Sequence, residues 1–520
     1  MQINNKHKMP AKLYSISLTG LTPELIEVES DISRGLSSFK VVGLGDTSVQ
    51  ESKERVRSAI KNSEFTYPIQ KKIINLAPAE LRKTGSNFDL PIAAALLAAS
   101  KQIPIQPFTN GVVIGELSLN GTVKPIKGIL PITNFAKQKG FKKIFLPKSN
   151  QHEASLVEGI KIYPIESLKQ LAEFCQGKTS ITPKEGARPF ITPQATPQNE
   201  TLLSSIYGLE SAKRALIIAA AGGHSTILRG QPGTGKTVLA RAFKSLLPPL
   251  SIDEAMEVTS LYSIAVGHQT LMTNRPFREV HHTASRIAIT GGGANLKPGE
   301  ITLAHKGVLF LDEITEFPRY VLEVLRQPLE DGFITISRAK SSAKYPCDFL
   351  LLAAMNNCPC GNLNAHSPRT NRRTNRCKCT PKQIQRYQNK LSGPLMDRID
   401  LSIETPSISI KNFLTQEEKE EDQEVKTQII KARKIQEARY SKIEPTKNAA
   451  LQARQIKSLL SITAKAKQTL NKASEKLELS NRGYLKVIKV AQTITDLDQR
   501  SKINEEDILE AVQYRPKLKS

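Results

Sequence analysis

The chain has 520 residues, of which 39% are hydrophobic and 24% are charged. This ordinary globular composition and length predict about three domains. Lys and Arg number 74 against 49 Asp and Glu, a formal net charge of +25, which favours a polyanionic partner such as nucleic acid. We find no apolar run of about 18 residues and no signal-peptide pattern, which argues against a membrane protein. We therefore expect a cytoplasmic protein with no membrane association.

The first region, residues 1–176, alternates short apolar runs with helical patterns. The runs SFKVVGL at 38–44 and KKIINLA at 71–77 predict strands, and DLPIAAALLAAS at 89–100 predicts a buried helix. These patterns indicate an α+β domain. Residues 177–200 are rich in Pro, Thr and Gly and lack periodicity, so we predict a linker there.

A second region, residues 201–404, contains apolar strands at 225–229, 307–311 and 348–354, with helical stretches between them. This alternation predicts a parallel sheet flanked by helices. Residues 405–520 are strongly charged with helical spacing and contain no convincing strand, so they predict a helical region and lid. The fold class is therefore multidomain α/β.

The segment ILRGQPGTGKTVLARAF contains the pattern G-x-x-x-x-G-K-T between a predicted strand and a predicted helix. Its glycines allow backbone N–H groups to surround phosphates, and the helix N-terminus adds its positive end. Lys236 would reach the β- and γ-phosphates, and the Thr237 hydroxyl would bind Mg²⁺. The predicted ATP-binding residues are Gly230, Gly233, Thr234, Gly235, Lys236, Thr237 and Asp312.

Polar residues end two further apolar strands. In GVLFLDE, Asp312 would help to hold hydrated Mg²⁺ and Glu313 would polarise the attacking water. In FLLLAAMNN, Asn356 would orient that water beside the γ-phosphate. The alternative, a glycine-rich turn with an unrelated acidic strand end, explains fewer of these features. We predict a P-loop NTPase that uses ATP and Mg²⁺.

Three residues resemble functional positions of AAA+ ATPases. Asn356 resembles the sensor asparagine, Arg398 in SGPLMDRIDL the arginine finger, and Arg482 in SNRGYLKVIKVAQTI the lid arginine. The resemblance implies that the finger enters the site of a neighbouring subunit, and hence a ring, most often a homo-hexamer. Without it, Arg398 and Arg482 could equally be surface arginines. The predicted catalytic residues are Glu313, Asn356, Arg398 and Arg482.

Four of the six cysteines form two close pairs within a predicted insertion, residues 357–390. The pairs are C-x-C motifs separated by 16 residues, and four thiolates would complete a tetrahedral Zn²⁺ site. An iron–sulfur cluster and unligated thiols are the alternatives, and His366 is a spare ligand. The predicted zinc ligands are Cys358, Cys360, Cys377 and Cys379.

Two basic segments are candidates for DNA binding. The first is the insertion itself, which has no Asp or Glu among its many basic residues. The second, FITISRAKSSAKYP, predicts a hairpin with cations near its tip, which could hold a phosphate backbone in a salt-sensitive way. A solvated edge hairpin is the alternative for this second segment. The predicted DNA contacts are Arg338, Lys340, Lys344, Arg369, Arg372, Arg373 and Arg376.

Several long motifs, in order along nearly the whole chain, resemble the ComM/YifB family of magnesium-chelatase-like AAA+ ATPases. They include INLAPAELRKTGSNFDLPIAAALLAAS, PGEITLAHKGVLFLDEITEF, VLEVLRQPLEDGFITISRAK and MNNCPCG. The resemblance implies a hexameric, ATP-driven DNA helicase that promotes branch migration during natural transformation. Its partners would be single-stranded and branched DNA and a recombinase. A chelatase-type motor that remodels a protein partner is the alternative.

The N-terminal domain resembles the proteolytic domain of Lon-type proteases. Aligning the motifs places Asn87 at the nucleophile position, with Ser86 one residue earlier, and Leu130 at the lysine position, with Lys127 nearby. A Ser–Lys protease needs both groups, so we expect a non-proteolytic scaffold or DNA-contacting domain. Proteolysis through Ser86 and Lys127 is the alternative.

Overall fold

The computed structural model of the protein describes residues 10–43, 45–80, 83, 85–187, 201–267, 270–293, 296–338, 341–363, 377–406, 421–441 and 446–515. Across these ranges, no helix is both long enough and apolar enough to cross a bilayer.

The N-terminal domain is built around a mixed sheet. Its strands are β1 Ala11–Thr19, β2 Thr22–Ser33, β3 Phe39–Val42, β4 Lys71–Ala77, β5 Gly111–Val113, β6 Glu116–Leu117, β7 Val123–Lys124, β8 Lys143–Pro147, β9 Lys161–Ile165 and β10 Lys184–Glu185. Its helices are α1 Thr47–Asn62, α2 Asp89–Ala99, α3 Ile129–Gln138, α4 Gln151–Ala154 and α5 Leu168–Cys175.

Eight strands form this sheet in the order β10-β9-β8-β5-β1-β2-β4-β3. Helix α2 packs on β1 and β2 and is buried from Asp89 to Leu97, because its sequence is apolar on every face. The strands predicted at 38–44 and 71–77 are β3 and β4, and the predicted helix is α2, so these predictions are confirmed.

Part of the predicted linker belongs to this sheet. Lys184–Glu185 pair antiparallel with β9 as strand β10. A two-residue strand held by backbone hydrogen bonds leaves no periodic pattern in the sequence, which is why the prediction missed it. Residues 188–200 of the predicted linker lie outside the described residues.

The central domain is a three-layer α/β unit. Its strands are β11 Thr226–Gly230, β12 Phe277–Val280, β13 Gly291–Gly292, β14 Lys297–Pro298, β15 Val308–Leu311, β16 Phe333–Arg338, β17 Ser341–Pro346, β18 Leu350–Met355 and β19 Leu401–Thr405. Its helices are α6 Glu210–Gly222, α7 Lys236–Leu246, α8 Ile252–Ala265, α9 Arg286–Thr290, α10 Glu300–Leu303, α11 Arg319–Val324, α12 Arg326–Asp331, α13 Pro381–Gln388 and α14 Gly393–Met396.

Five strands form an all-parallel sheet in the order β12-β15-β18-β11-β19. Strands β15 and β18 are buried throughout, as expected of strands covered on both faces. The strands predicted at 225–229, 307–311 and 348–354 correspond to β11, β15 and β18. Because the sheet is parallel, the loops that follow these three strands meet at one edge.

The C-terminal region is helical, as predicted, and shares a core with the central domain. Its helices are α15 Glu421–Arg439, α16 Ala453–Leu459, α17 Ala464–Lys476, α18 Asn481–Leu497 and α19 Glu505–Gln513. Apolar residues of α15, α18 and α19 join those of α6, β11 and β19 in one buried cluster. The helical region is therefore packed onto the central domain.

Buried polar contacts cross the same junction. His224 Nδ1 lies 3.0 Å from Asp400 Oδ2, and His224 Nε2 lies 2.9 Å from the Thr493 hydroxyl on α18. Lys486, also on α18, is 3.0 Å from Asp400 Oδ1. Burial alone would raise the pKa of Asp400, but Lys486 and His224 outweigh it, so the pKa lies below its ordinary value.

The N-terminal domain contacts the central domain at the β16–β17 hairpin. A Cβ built on Gly20, in the β1–β2 turn, would lie 2.7 Å from Ala343 Cβ, so only glycine permits this close approach. Tyr345 is fully buried beside it and donates a hydrogen bond to the Leu296 carbonyl at 2.6 Å. The buried face of the hairpin thus packs in the core of the central domain, and the N-terminal domain contacts it at Gly20.

Candidate functional site

The phosphate-binding loop connects β11 to α7. Gly233 and Gly235 have φ values of 78° and 83°, a left-handed conformation that favours glycine. The Thr234 hydroxyl contacts the Thr405 hydroxyl at 3.0 Å, which joins the loop to the end of β19. Helix α7 begins at Lys236, so its free N–H groups face the loop.

The Lys236 ammonium lies at the centre of this loop. It donates hydrogen bonds to the carbonyls of Gly230 at 3.0 Å and Gln231 at 2.7 Å, and to Asn356 Oδ1 at 3.1 Å. Burial lowers the pKa of Lys236, and the carboxylates of Asp312 and Glu313 oppose that effect. A phosphate would be a stronger partner for this ammonium than neutral carbonyls. The structure therefore brings the predicted sensor asparagine to the predicted phosphate-binding lysine.

Thr237 and Asp312 form the second part of the site. The Thr237 hydroxyl donates to Asp312 Oδ2 at 2.8 Å, so a hydroxyl and a carboxylate oxygen lie side by side. These are the ligand types that Mg²⁺ takes, and the pair fits a Mg²⁺ ion bound together with nucleotide phosphates.

Glu313 follows Asp312 at the end of β15. Its φ of 50° is unusual for a residue with a side chain, and its carboxylate is 51% exposed. His282 Nδ1 lies 3.7 Å from Glu313 Oε2. The adjacency of β12 and β15 places this histidine there, and sequence reasoning assigned it no role at the ATP site.

The two predicted arginines lie together rather than at the phosphate loop. Arg398 Nη2 pairs with Glu330 on α12, and Arg398 Nη1 donates to the Pro394 carbonyl at 2.6 Å. Arg482 Nη2 lies 3.8 Å from the other oxygen of Glu330. None of the contacts described for either arginine reaches the phosphate loop of the same chain, an arrangement compatible with action on a neighbouring subunit.

The four predicted zinc ligands converge. The Cys358 Sγ atom lies 3.4 Å from Cys360 Sγ and 3.6 Å from Cys377 Sγ, and Cys360 and Cys377 are 3.6 Å apart. All four thiols, including Cys379, lie within 4.8 Å of one another. Tetrahedral Zn–S bonds of about 2.3 Å separate sulfur atoms by about 3.8 Å, so the four thiols fit such an ion. Cys175 and Cys347 are buried elsewhere.

The predicted DNA contacts are only partly described. The β16–β17 hairpin is present, but Lys344 pairs with Thr335, three residues from the terminal Arg338–Ser341 pair. Its Nζ lies 3.6 Å from the centroid of the Phe333 ring. The prediction that Lys344 lies near the tip is therefore wrong, because the hairpin extends further than its turn residues indicated. The Arg338 side chain and Lys340, Arg369, Arg372, Arg373 and Arg376 lie outside the described residues, as does His366.

The suggested protease residues have different surroundings. The Ser86 hydroxyl donates to a carboxylate oxygen of Glu116, whereas Lys127 is exposed beside Gly267 of the central domain. Leu130 is buried. The contacts described for Ser86 and Lys127 therefore do not form a Ser–Lys dyad.

Comparisons with known proteins agree with this architecture. Three family models match: "Subunit ChlI of Mg-chelatase" over residues 28–150, "Magnesium chelatase, subunit ChlI" over 202–413 and "Magnesium chelatase, subunit ChlI C-terminal" over 419–515. With the parallel sheet and phosphate loop described above, these matches define a magnesium-chelatase-like AAA+ ATPase.

Among curated relatives, competence protein ComM of Haemophilus influenzae is 41% identical over 515 residues, covering 97% of both chains. The uncharacterized protein YifB of Escherichia coli is 40% identical over 502 residues, covering 95% of both. The chain belongs to the ComM/YifB family.

The N-terminal domain also has a partial relationship to proteases. Lon protease 2 of Bacillus subtilis is 27% identical over 178 residues, which is 34% of this chain and 29% of the protease. The similarity confirms the predicted Lon-like relationship. The sequence similarity is not accompanied by a Ser–Lys dyad, since the contacts described for Ser86 and Lys127 do not form one.

Proposed function

We propose that this chain is an ATP-driven DNA helicase that forms a homo-hexameric ring and promotes branch migration during recombination in natural transformation. The observation that carries the proposal is the similarity to competence protein ComM over 97% of both chains. It spans the N-terminal, central and helical regions together. The net charge of +25 supports a nucleic-acid partner.

In this proposal, the chain's own residues perform ATP hydrolysis at the carboxyl edge of the parallel sheet. The phosphate loop and Lys236 bind the phosphates, and Thr237 and Asp312 hold Mg²⁺, which would neutralise developing charge when bound. Glu313, exposed at the end of β15, accepts a proton from the attacking water, and Asn356 orients that water.

We propose that Arg398 and Arg482 complete the site of a neighbouring subunit. The support is their shared position on Glu330, away from the phosphate loop of their own chain. A trans-acting arginine stabilises charge that develops during phosphoryl transfer. This role requires assembly, and it accounts for two cations held at one surface.

We propose that the four-cysteine cluster binds Zn²⁺ and that the basic segment between its two pairs contacts DNA. The support for zinc is the close match between the observed sulfur separations and a tetrahedral thiolate site. The support for DNA is the composition of residues 357–390, which include no Asp or Glu. Arg338 and Lys344 of the hairpin would add contacts to the phosphate backbone.

The test is ATP turnover by the purified protein without nucleic acid, with single-stranded DNA and with a three-way DNA junction, at fixed salt. We expect branched DNA to stimulate turnover, and Glu313→Gln to abolish it while nucleotide still binds. Glu323→Gln, ten residues further on and paired with Arg326, is the control and should retain turnover.

A failure of every DNA to stimulate turnover would contradict this proposal. It would favour a chelatase-type motor that remodels a protein partner, the alternative to which the family models' description points. If branched DNA does stimulate turnover, strand-displacement assays on the junction distinguish a motor from an ATPase that only binds DNA.

A further inference from the structure

The cysteine cluster lies against the phosphate loop. Gly361, one residue beyond Cys360, has a φ of 78° and donates its N–H to the Cys358 carbonyl at 3.0 Å. A Cβ built on Gly361 would lie 2.5 Å from Cγ and 2.6 Å from Cδ of Pro232. Pro232 is part of the phosphate loop, so the turn formed by the first cysteine pair touches the nucleotide site directly.

The second cysteine pair is linked to the site through helix α13. After Cys379, the side chain of Thr380 caps α13, with Gln383 completing the capping box. At the far end of this short helix, Gln388 Nε2 donates to the Asn357 carbonyl at 3.0 Å. Asn357 follows the residue that holds the Lys236 ammonium.

Tyr387 anchors the same helix. Its ring is buried in the central core, and burial raises the pKa of its hydroxyl, while the backbone of Asn356 acts in the opposite direction. Lys390, just beyond α13, pairs with Glu316 at 3.6 Å, and Glu316 lies three residues past Glu313. The first end of the insertion therefore contacts the phosphate loop, and the second is linked through α13 to the segments that follow β15 and β18.

We propose that metal binding by the four cysteines and nucleotide binding by the phosphate loop are thermodynamically coupled, with Gly361 and Pro232 as the contact. With a metal bound, the four cysteines would hold the two ends of the insertion together and keep Gly361 against Pro232. Nucleotide binding in turn fixes the loop that supports Gly361. This inference rests on the metal site proposed above and deepens the proposed ATPase function by naming its regulation.

Coupling must be reciprocal for binding free energies, which gives two measurements. The first is the affinity of the full-length protein for the fluorescent nucleotide mant-ADP, before and after loss of metal through the double change Cys377→Ser and Cys379→Ser. We expect affinity to fall by about 5-fold to 150-fold, the usual range of coupling between sites. The second is the equilibrium partition of zinc between the protein and a colorimetric chelator, which saturating ADP should shift toward the protein.

A pair of glycine variants tests the contact itself. Gly361→Ala places a Cβ against Pro232, and we expect it to keep zinc but bind mant-ADP more weakly. Gly140→Ala is the matched control, because Gly140 has a similar φ of 83° with no atom within 4 Å of its built Cβ. It should bind mant-ADP normally.

The outcomes separate the coupling from the functions on which it rests. Protein that carries no zinc, and takes up none when supplied, would overturn both the metal site and the coupling. Zinc bound as proposed, with mant-ADP affinity unchanged in the cysteine variant or in Gly361→Ala, would overturn the coupling alone. Circular dichroism and thermal unfolding identify a variant that has lost its fold. For such a variant, the nucleotide-dependent equilibrium partition of zinc between the unmodified protein and the chelator decides the question, and a partition that ADP does not change would overturn the coupling.

Discussion

At the scale of single residues, Glu330 is the least expected part of the site. It pairs with both Arg398 and Arg482, and the hydrogen bond from Arg398 lowers the pKa of Glu330. Two guanidinium groups on one surface repel each other, and a carboxylate between them offsets that repulsion. Glu330 thus positions the two arginines.

Replacing Glu330 by Ala should slow ATP hydrolysis without weakening nucleotide binding. The arginines would lose their common partner, and misplacing groups that act in the transition state costs about tenfold to a hundredfold in rate. The measurement is kcat and KM for ATP beside mant-ADP affinity. Glu323→Ala, which removes a partly buried glutamate paired with Arg326, is the control. An unchanged kcat in Glu330→Ala would show that this carboxylate does not position the arginines.

Single residues also show where sequence reasoning reached its limit. Lys236, Thr237, Asp312 and Asn356 belong to local motifs, and the structure brings them together as the motifs predicted. The approach of His282 to Glu313 depends on which strands are neighbours in the sheet, and local spacing does not contain that information. The same holds for Gly361 and Pro232, which are 129 positions apart.

At the scale of elements, strands and helices with a strong pattern were predictable and weakly patterned pieces were not. The fully apolar strands β15 and β18 and the apolar helix α2 were identified because burial on all sides leaves a continuous apolar run. β10 has two residues and was interpreted as linker. The β16–β17 hairpin was predicted, but its length was not, so Lys344 was assigned to the tip although it lies along the strand.

The hairpin yields a prediction about DNA binding. Lys344→Ala should weaken binding to single-stranded DNA and reduce the slope of log affinity against log salt by about 1, because one phosphate contact is lost. The measurement is fluorescence anisotropy of labelled DNA across a salt series. Lys476→Ala removes an exposed lysine from α17 and should leave the slope unchanged. Equal slopes of log affinity against log salt for wild type and Lys344→Ala would show that this lysine does not contact DNA phosphates.

At the scale of the whole molecule, we expect the central domain and the helical region to unfold together, since they share one core and a buried charge network. Asp400 is central to that network. Its lowered pKa means that it contributes stability above the pKa of an unfolded aspartate, about 4, and that this contribution is lost as pH falls below that value.

In Asp400→Asn, the free energy of unfolding should therefore depend less steeply on pH in the acid range than in wild type. At pH 7 the substitution leaves Lys486 without its buried partner, and we expect a loss of about 3 to 5 kcal/mol in the free energy of unfolding. Urea unfolding between pH 3 and pH 7 measures both effects. Asp498→Asn, at an exposed aspartate paired with Arg500, is the control. If the free energy of unfolding depended on pH equally in wild type and Asp400→Asn, the proposed contribution of Asp400 to stability would be contradicted.

The proposed ring predicts that two inactive variants restore ATP turnover when they are mixed. Lys236→Ala should disable the ATP site of its own subunit, and Arg398→Ala should disable the site of the neighbour. Each variant alone should be inactive, whereas a mixture contains interfaces with one intact lysine and one intact arginine. ATP turnover measured across mixing ratios should rise above both pure variants. A mixture as inactive as its parts would indicate that Arg398 does not act in trans.

The contact between Gly20 and Ala343 sets a limit on movement of the hairpin. Arg338 and Ser341 form the last described pair of the hairpin, two positions beyond the Ile336–Ala343 pair, a reach of roughly 7 Å at about 3.3 Å per residue. Because the contact lies close to the described end of the hairpin, that end can move only a short distance while the contact is kept. The residue that restrains it, Gly20, belongs to another domain. The Lon-like domain would then limit how far the hairpin can move during a cycle of ATP hydrolysis.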